Sequence, residues 1–284
     1  MQQAQQYKQM EYSIAFESYG VFVRIDCNDP DLLTKVKSRV SEALVHNLSF
    51  GEIPERSVDR SYCVNRTEKS FELFENGNYH GELEHEDAIL NVLASQVRLG
   101  VAERAKTKVF VHAGVISVHG RVVMIPGVSY SGKTTLVAEF ARRGVVYFSD
   151  EYAVLDENGN VHPFPRKLSV RGPGGSLTEM TAESLGATVA TAPARVGLVL
   201  ITEFKSDSDI NLEALTFGNA MLELIPHTIP IRMNTDFALK TFRNALSRAI
   251  ILKGERPEAA IFAEYVLTFI RNELDWANSL IKNT

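Results

Sequence analysis

Eight residues in the middle of the chain have the spacing of a phosphate-binding loop. Residues 127–134 read Gly-Val-Ser-Tyr-Ser-Gly-Lys-Thr, which matches G-x-x-x-x-G-K-[ST] at every fixed position. The glycines allow the backbone to curl so that successive N–H groups face phosphate oxygens. In this pattern Lys133 supplies a positive charge for the β- and γ-phosphates, and Thr134 offers a hydroxyl to Mg²⁺. We assign the nucleotide-binding residues as Gly127, Ser129, Ser131, Gly132, Lys133, Thr134 and Thr135.

The sequence on either side of this loop predicts the elements that would position it. An apolar, β-branched run from Arg121 to Ile125 predicts a strand leading into the loop. The run from Thr134 to Arg143 has the composition of a helix. A helix that begins at the loop directs its positive end at a bound anion, as phosphate binding requires.

A nucleotide site also needs an acid for Mg²⁺ or for the attacking group. The run from Val145 to Ser149 predicts a short buried strand, and Asp150 and Glu151 follow it directly. A second apolar strand predicted from Val196 ends at one acid, Glu203. Acids at the carboxyl ends of strands face the crevice where open α/β sheets bind ligands. We favour the adjacent acids Asp150 and Glu151, and Glu203 remains the alternative.

The composition restricts the class of protein. Of 284 residues, 45% are hydrophobic and 23% are charged, which is enough apolar material for a core and excludes a mainly disordered chain. The formal charge of -5 disfavours a nucleic acid or an anionic membrane as partner. Two cysteines are too few for a disulfide scaffold or a four-cysteine zinc site. Without a long apolar run or a secretion signal, we expect a soluble, cytoplasmic protein.

Periodicity divides the chain into three parts. Residues 1–12 are expected to form a flexible tail, and residues 13–84 a small α+β region in which Asn76-Gly77 marks a hairpin turn. Residues 85–284 are expected to form an α/β domain with a central mixed sheet, beginning with a helix. In this domain, Gly114 separates two predicted strands, at 108–112 and 115–119. The stretches 236–253 and 257–281 are predicted to be mostly helical.

The order of these features resembles one family of bacterial phosphate-loop proteins. The resemblance is to the HPr kinase/phosphorylase-like family, in which the same features follow one another in the same order. In this chain they are His112-Ala113-Gly114, the strand to Ile125, the loop, Arg143-Gly144 and Ser149-Asp150-Glu151. The resemblance covers about residues 107–171 and implies a core similar to that of phosphoenolpyruvate carboxykinase. It also implies ATP-dependent phosphorylation of a hydroxyl, usually a serine.

The resemblance also suggests a role for each matching residue. Lys133 would hold the phosphates, while Thr134, Asp150 and Glu151 would hold Mg²⁺. Asp150 would also accept the proton of the attacking hydroxyl, and His112 would lie beside the transferring phosphate. Basic residues that follow the acid pair, with Arg166 as the selected candidate, would neutralise phosphate charge.

The sequence departs from the family pattern at three positions. Tyr130 replaces a loop glycine, Glu151 replaces a second aspartate, and Thr135 replaces a glutamate. The glycine-rich stretch associated with phosphorylase activity is missing, so that activity is not expected. The leading hypothesis is a Mg-ATP-dependent kinase acting on a hydroxyl of a protein, a peptide or a small molecule, with a serine favoured. The alternatives are a nucleotide-binding switch or assembly protein and an ATPase without an acceptor. Members of the family often assemble, which also allows a homo-oligomer.

Overall fold

The chain divides into two units, Met1–Thr107 and Lys108–Thr284. The computed structural model describes residues 11–128, 131–172, 176–229 and 233–272. The division differs from the predicted boundary after residue 84, because the helix after that residue packs in the first unit. No helix within the described ranges is long and apolar enough to cross a bilayer.

The first unit is a six-stranded sheet with two helices. Its strands are β1 Tyr12–Ser18, β2 Val21–Cys27, β3 Ser49–Phe50, β4 Arg60–Arg66, β5 Phe71–Glu75 and β6 Asn78–Leu83, and its helices are α1 Pro30–Ala43 and α2 Glu86–Arg104. The spatial order of the strands is β3-β1-β2-β4-β5-β6. Asp29 caps α1 by accepting a hydrogen bond from the Leu32 N–H, as the capping sequence predicts. The hairpin predicted at Asn76-Gly77 joins β5 to β6.

The second unit contains a nine-stranded mixed sheet and a separate two-stranded hairpin, which fits the predicted α/β class. Its strands are β7 Val109–Val118, β8 Arg121–Pro126, β9 Val146–Ser149, β10 Tyr152–Leu155, β11 Asn160–His162, β12 Leu168–Arg171, β13 Leu177–Met180, β14 Thr188–Val189, β15 Ala194–Phe204, β16 Asn211–Ala214 and β17 Ile250–Arg256. Its helices are α3 Lys133–Ala141, α4 Phe217–Leu224, α5 Thr235–Leu246 and α6 Ala259–Asn272. The hairpin consists of β12 and β13.

The directions of four strands bring their carboxyl ends to one edge of this sheet. Strands β8, β15 and β17 pair in parallel, in that order. Strand β7 pairs antiparallel with both β8 and β9, so β8 and β9 run in the same direction. The carboxyl ends of β9, β8, β15 and β17 therefore lie along the same edge, with β9 on one side of β8 and β15 on the other.

Both faces of the sheet are buried. Val123 and Ile125 of β8 belong to one apolar cluster with residues of α3 and α6. Val122 and Met124 belong to a second cluster with residues of α4 and α5. Burying such a side chain contributes about 1.5–3 kcal/mol to the stability of the fold. Because both faces of these strands are buried, their sequences are continuous apolar runs rather than alternating ones.

Two predictions about secondary structure in this unit are wrong. The predicted break at Gly114 does not exist, because β7 continues through it and pairs with β10 before it and with β8 and β9 after it. The predicted helical stretch 236–253 ends at Leu246, and β17 then begins at Ile250. The β-branched pair Ile250 and Ile251 favours a strand, and the parallel neighbour β15 provides its hydrogen bonds.

Candidate functional site

The glycine loop, residues 127–134, joins the carboxyl end of β8 to the first residue of α3. Its beginning is fixed to β7 by two hydrogen bonds with one residue. The Gly127 N–H donates to the His112 carbonyl at 3.2 Å, and His112 Nδ1 lies 2.8 Å from the Gly127 carbonyl oxygen. Because a carbonyl only accepts, His112 must carry a proton on Nδ1.

Both loop glycines occupy positions without room for a side chain. Gly132 precedes α3 with φ +79°, in the left-handed region. A Cβ at Gly132 would lie 2.7 Å from an Arg256 guanidinium nitrogen, and one at Gly127 would lie 2.8 Å from Ser131 Oγ. Within the described residues Ser131 Oγ is buried without a hydrogen-bond partner. Two further residues assigned to the loop, Ser129 and Tyr130, lie outside the described residues.

Lys133 is held inside the loop rather than extended into solvent. Its side chain is buried, and its ammonium donates to the Val128 carbonyl at 2.6 Å. Burial lowers the pKa of Lys133 to about 8, while the carboxylates of Asp150 and Glu151 oppose this shift. The lysine is therefore a buried cation whose environment favours an anionic ligand.

Asp150 follows β9 and lies at the same edge of the sheet as the loop. Burial raises the pKa of its carboxyl to about 7. The Thr134 hydroxyl, Lys133 and Arg166 favour the ionised form, and Glu151 opposes it. One carboxyl oxygen, Oδ1, is buried without a hydrogen-bond partner among the described residues. A carboxyl group with such a pKa is able to accept a proton near neutral pH.

Glu151 and Arg166 form an ion pair beside this carboxyl. Arg166 is further anchored because its carbonyl accepts a hydrogen bond from the buried Tyr147 hydroxyl at 2.7 Å. The pair neutralises the charge of Glu151 next to Asp150, so the second acid is already bound to a cation.

Eight of the predicted site residues line a cavity of about 420 Å³. Its walls include His112, Lys133, Thr134, Asp150, Glu151 and Arg166. Thr135 and Gly132 border this cavity and also a larger one of about 890 Å³ on the other side of the loop. Gly127 and Ser131 line only the larger cavity. The structure thus brings the predicted residues that it describes around one loop, between two cavities.

Three residues at this edge were missed by the sequence analysis. Phe204 ends β15 and Arg256 ends β17, and both line the larger cavity. The strand pattern around Ile250 was the signal that would have placed Arg256 at the sheet edge. The third residue, His227, closes a short 3-10 turn, and no local sequence signal distinguishes it.

The bridge between Val111 and Thr228 brings His227 next to His112. Burial lowers the pKa of His227, and the nearby charges of Lys133 and His112 lower it further. Among the described residues its Nδ1 is buried and has no hydrogen-bond partner. His227 is therefore an uncharged imidazole at neutral pH, between the strand β7 and the larger cavity.

Comparisons with known proteins add little to this geometry. The second unit belongs to the α/β class, with a loop between a buried strand and a helix at the carboxyl edge of its sheet. No family model matches the chain, and no curated protein matches it either. Among solved structures, the chain is similar to the Hpr(Ser) kinase/phosphatase from Coxiella burnetii at 12% identity. That match covers 58% of this chain and 98% of the other, with a TM-score of 0.32, and a likeness of this size carries no functional inference.

Proposed function

We propose that this chain binds Mg-ATP on the glycine loop and transfers the γ-phosphoryl group to a hydroxyl acceptor. The observation that carries the proposal is the meeting of three features at one sheet edge. They are the loop, the buried Lys133, and an Asp150 oxygen that has no hydrogen-bond partner among the described residues. Lys133 would exchange its carbonyl partner for phosphate oxygens, and the loop N–H groups would hold the same anion. A serine of a protein or peptide is the favoured acceptor.

The residues present fit a magnesium ion that arrives with the nucleotide. Among the described residues no group of three or more His, Cys, Asp or Glu side chains forms a metal site on its own. Thr134 and Asp150 would supply two oxygen ligands, since Mg²⁺ is usually held by one or two protein oxygens plus phosphates and waters. When bound, the ion would neutralise charge on the phosphates. Glu151, paired with Arg166, would act on this site at longer range.

Asp150 would be the proton acceptor. The acceptor oxygen would form a bond to the γ-phosphorus as the bond from that phosphorus to the β-phosphate oxygen breaks, and the hydroxyl proton would move to Asp150. Before Mg²⁺ binds, the pKa of this carboxyl is about 7, so it is a stronger base than an ordinary aspartate and is still ionised in part at neutral pH. Lys133 and the loop would hold the charge that develops on the phosphates.

Calorimetric titration of Mg-ATP into the wild type and Lys133→Ala tests the binding step. We expect saturable binding to the wild type, a loss of at least about tenfold in Lys133→Ala, and no loss in the exposed control Lys240→Ala. No binding to the wild type would overturn the proposal.

Transfer is tested by mass spectrometry on serine-containing peptides and on proteins that co-purify with the chain. A gain of one phosphoryl group that requires Asp150 supports transfer. Release of phosphate from ATP without any acceptor would instead identify a hydrolase. Binding without either reaction would identify a nucleotide-binding switch.

A further inference from the structure

The second cavity at the sheet edge has no role in the reaction described above. It measures about 890 Å³ and is lined by the carboxyl ends of β15 and β17 and by described residues on either side of the loop's centre, Gly127, Val128, Ser131 and Gly132. Its volume lies within the range of small-molecule sites, roughly 300–1,000 Å³. The loop separates it from the cavity that contains Asp150, because β9 and β15 lie on opposite sides of β8.

Arg256 is a buried cation at this cavity. It is 3% exposed, donates from Nη2 to the Ser131 carbonyl at 3.1 Å, and forms no ion pair within the described part of the chain. Burial lowers its pKa, and Glu258 opposes that shift only from a distance. Leaving a guanidinium buried without an anion is strongly unfavourable. A ligand phosphate next to Gly132 would remove that cost.

Phe204 gives the same cavity an aromatic surface. Its ring lies 5.5 Å from the Arg256 guanidinium carbon, and 45% of the residue is still exposed. Ile201 and Ala259 add apolar surface nearby. A flat, partly apolar ligand group would bury this surface by stacking on the ring.

The acidic side chains along the cavity are partly neutralised already. Glu223 pairs with Lys253, and Glu255 pairs with Lys205. Four glutamates line the cavity, Glu203, Glu223, Glu255 and Glu258. Because two of them are paired with lysines, the cavity repels a phosphate chain beside Arg256 less strongly than four free carboxylates would.

We propose that this larger cavity is the nucleoside site, with the base on Phe204 and the α- and β-phosphates beside Arg256. The inference rests on the proposed function, because it requires the γ-phosphate to cross the loop toward Lys133 and Asp150. It also gives the bound nucleotide an orientation. The base lies at the carboxyl end of β15, and the hydroxyl acceptor lies in the smaller cavity beside β9.

The test compares Mg-ATP with Mg-tripolyphosphate, which has the phosphates but no base, by calorimetry. The wild type should bind ATP roughly 5- to 150-fold more tightly than tripolyphosphate, the contribution of one stacked base. Phe204→Ala should remove most of that difference by weakening ATP alone. Phe217→Ala is the control, because Phe217 is equally exposed, at 44%, and lies outside the cavity.

Arg256→Met should weaken both ligands, by roughly 10- to 150-fold, since both carry the phosphates. Arg248→Met, an exposed arginine before β17, should change neither. If either cavity variant does not fold, Phe204→Leu and Arg256→Lys replace it and should give smaller losses in the same pattern. The comparison of the two ligands on the wild type needs no variant.

Three results would overturn the assignment: equal binding of ATP and tripolyphosphate by the wild type, equal weakening of both ligands by Phe204→Ala, or unchanged binding by Arg256→Met. Each leaves the proposed function intact if Lys133→Ala still weakens Mg-ATP binding by at least about tenfold. Failure of the wild type to bind either ligand would instead overturn the proposed function.

Discussion

Replacing Asp150 with asparagine should change the stability of the second unit in a way that depends on pH. Burial raises the pKa of the Asp150 carboxyl from 3.8 to about 7. Between these pH values the folded protein holds a proton that the unfolded chain has released, so rising pH favours unfolding. Below pH 3.8 both states are protonated and there is no cost. Above about pH 7 both states are ionised. Holding the buried Asp150 charge then lowers the free energy of unfolding by about 4 kcal/mol.

Asparagine has nearly the same shape and stays neutral at every pH, so Asp150→Asn avoids this cost. We expect the variant to gain stability relative to the wild type as pH rises from about 4 to above about 7, by up to about 4 kcal/mol. The gain should vanish at the acidic end of the range. The same variant should lose phosphoryl transfer, because the amide accepts no proton.

Asp156 provides a control of opposite sign. Although burial alone would raise the pKa of Asp156, hydrogen bonds from His162 and Asn160 lower it overall. Its carboxylate therefore stabilises the fold above its usual pKa, and this contribution is lost as the pH falls. Asp156→Asn should reduce stability near neutral pH, and the reduction should shrink in acid.

The assay is urea denaturation followed by circular dichroism, at pH values from about 3 to about 8. The relevant transition is the one that each substitution shifts, since the chain has two units. A difference between the wild type and Asp150→Asn that stays constant over this range would refute the reasoning. It would mean that Asp150 ionises with an ordinary pKa in the folded protein.

Two further predictions concern the loop, and a third concerns the turn between β10 and β11. Gly132→Ala should weaken Mg-ATP in calorimetry by about tenfold or more, because a Cβ lies 2.7 Å from Arg256 Nη2 at φ +79°; unchanged affinity would contradict the loop geometry. Since Lys133 has a pKa of about 8, ATP affinity measured across that pH should fall as pH rises, and Lys133→Arg should show no such fall. Gly159→Ala, which places a Cβ 2.3 Å from the Ala245 nitrogen at φ +80°, should reduce the free energy of unfolding by about 2–4 kcal/mol in urea; a smaller effect would show that the turn relaxes.

Local chemistry in the sequence was enough to predict several elements. The strand at residues 121–125 and the helix after the loop were predicted within a few residues, because a β-branched run and helix-forming composition act over short distances. Asp150 was located for the same reason, since it follows a short buried run directly.

Contacts between distant segments could not be predicted. Strand β17 pairs in parallel with β15, which lies 52 residues earlier in the chain at the pair Glu203 and Glu255. The periodicity of β17 alone suggested a helix. For the same reason Arg256 and His227 were missed, because each reaches the loop through pairing with another strand. The helix Glu86–Arg104 was predicted as a helix but placed in the second unit, since sequence does not show which sheet a helix covers.

The hydrogen bond from Lys133 to the Val128 carbonyl makes ligand binding a competition. A phosphate oxygen must displace a backbone carbonyl that already satisfies the ammonium at 2.6 Å. The net gain in binding free energy is therefore the difference between two hydrogen bonds of the Lys133 ammonium. The bond to a phosphate oxygen is the stronger one, because that oxygen is negatively charged and the carbonyl is not. A nucleoside without phosphates offers no anion to displace the carbonyl, so it gains no affinity from Lys133. If the proposed nucleotide binds, the same carbonyl would recapture the lysine when the nucleotide leaves.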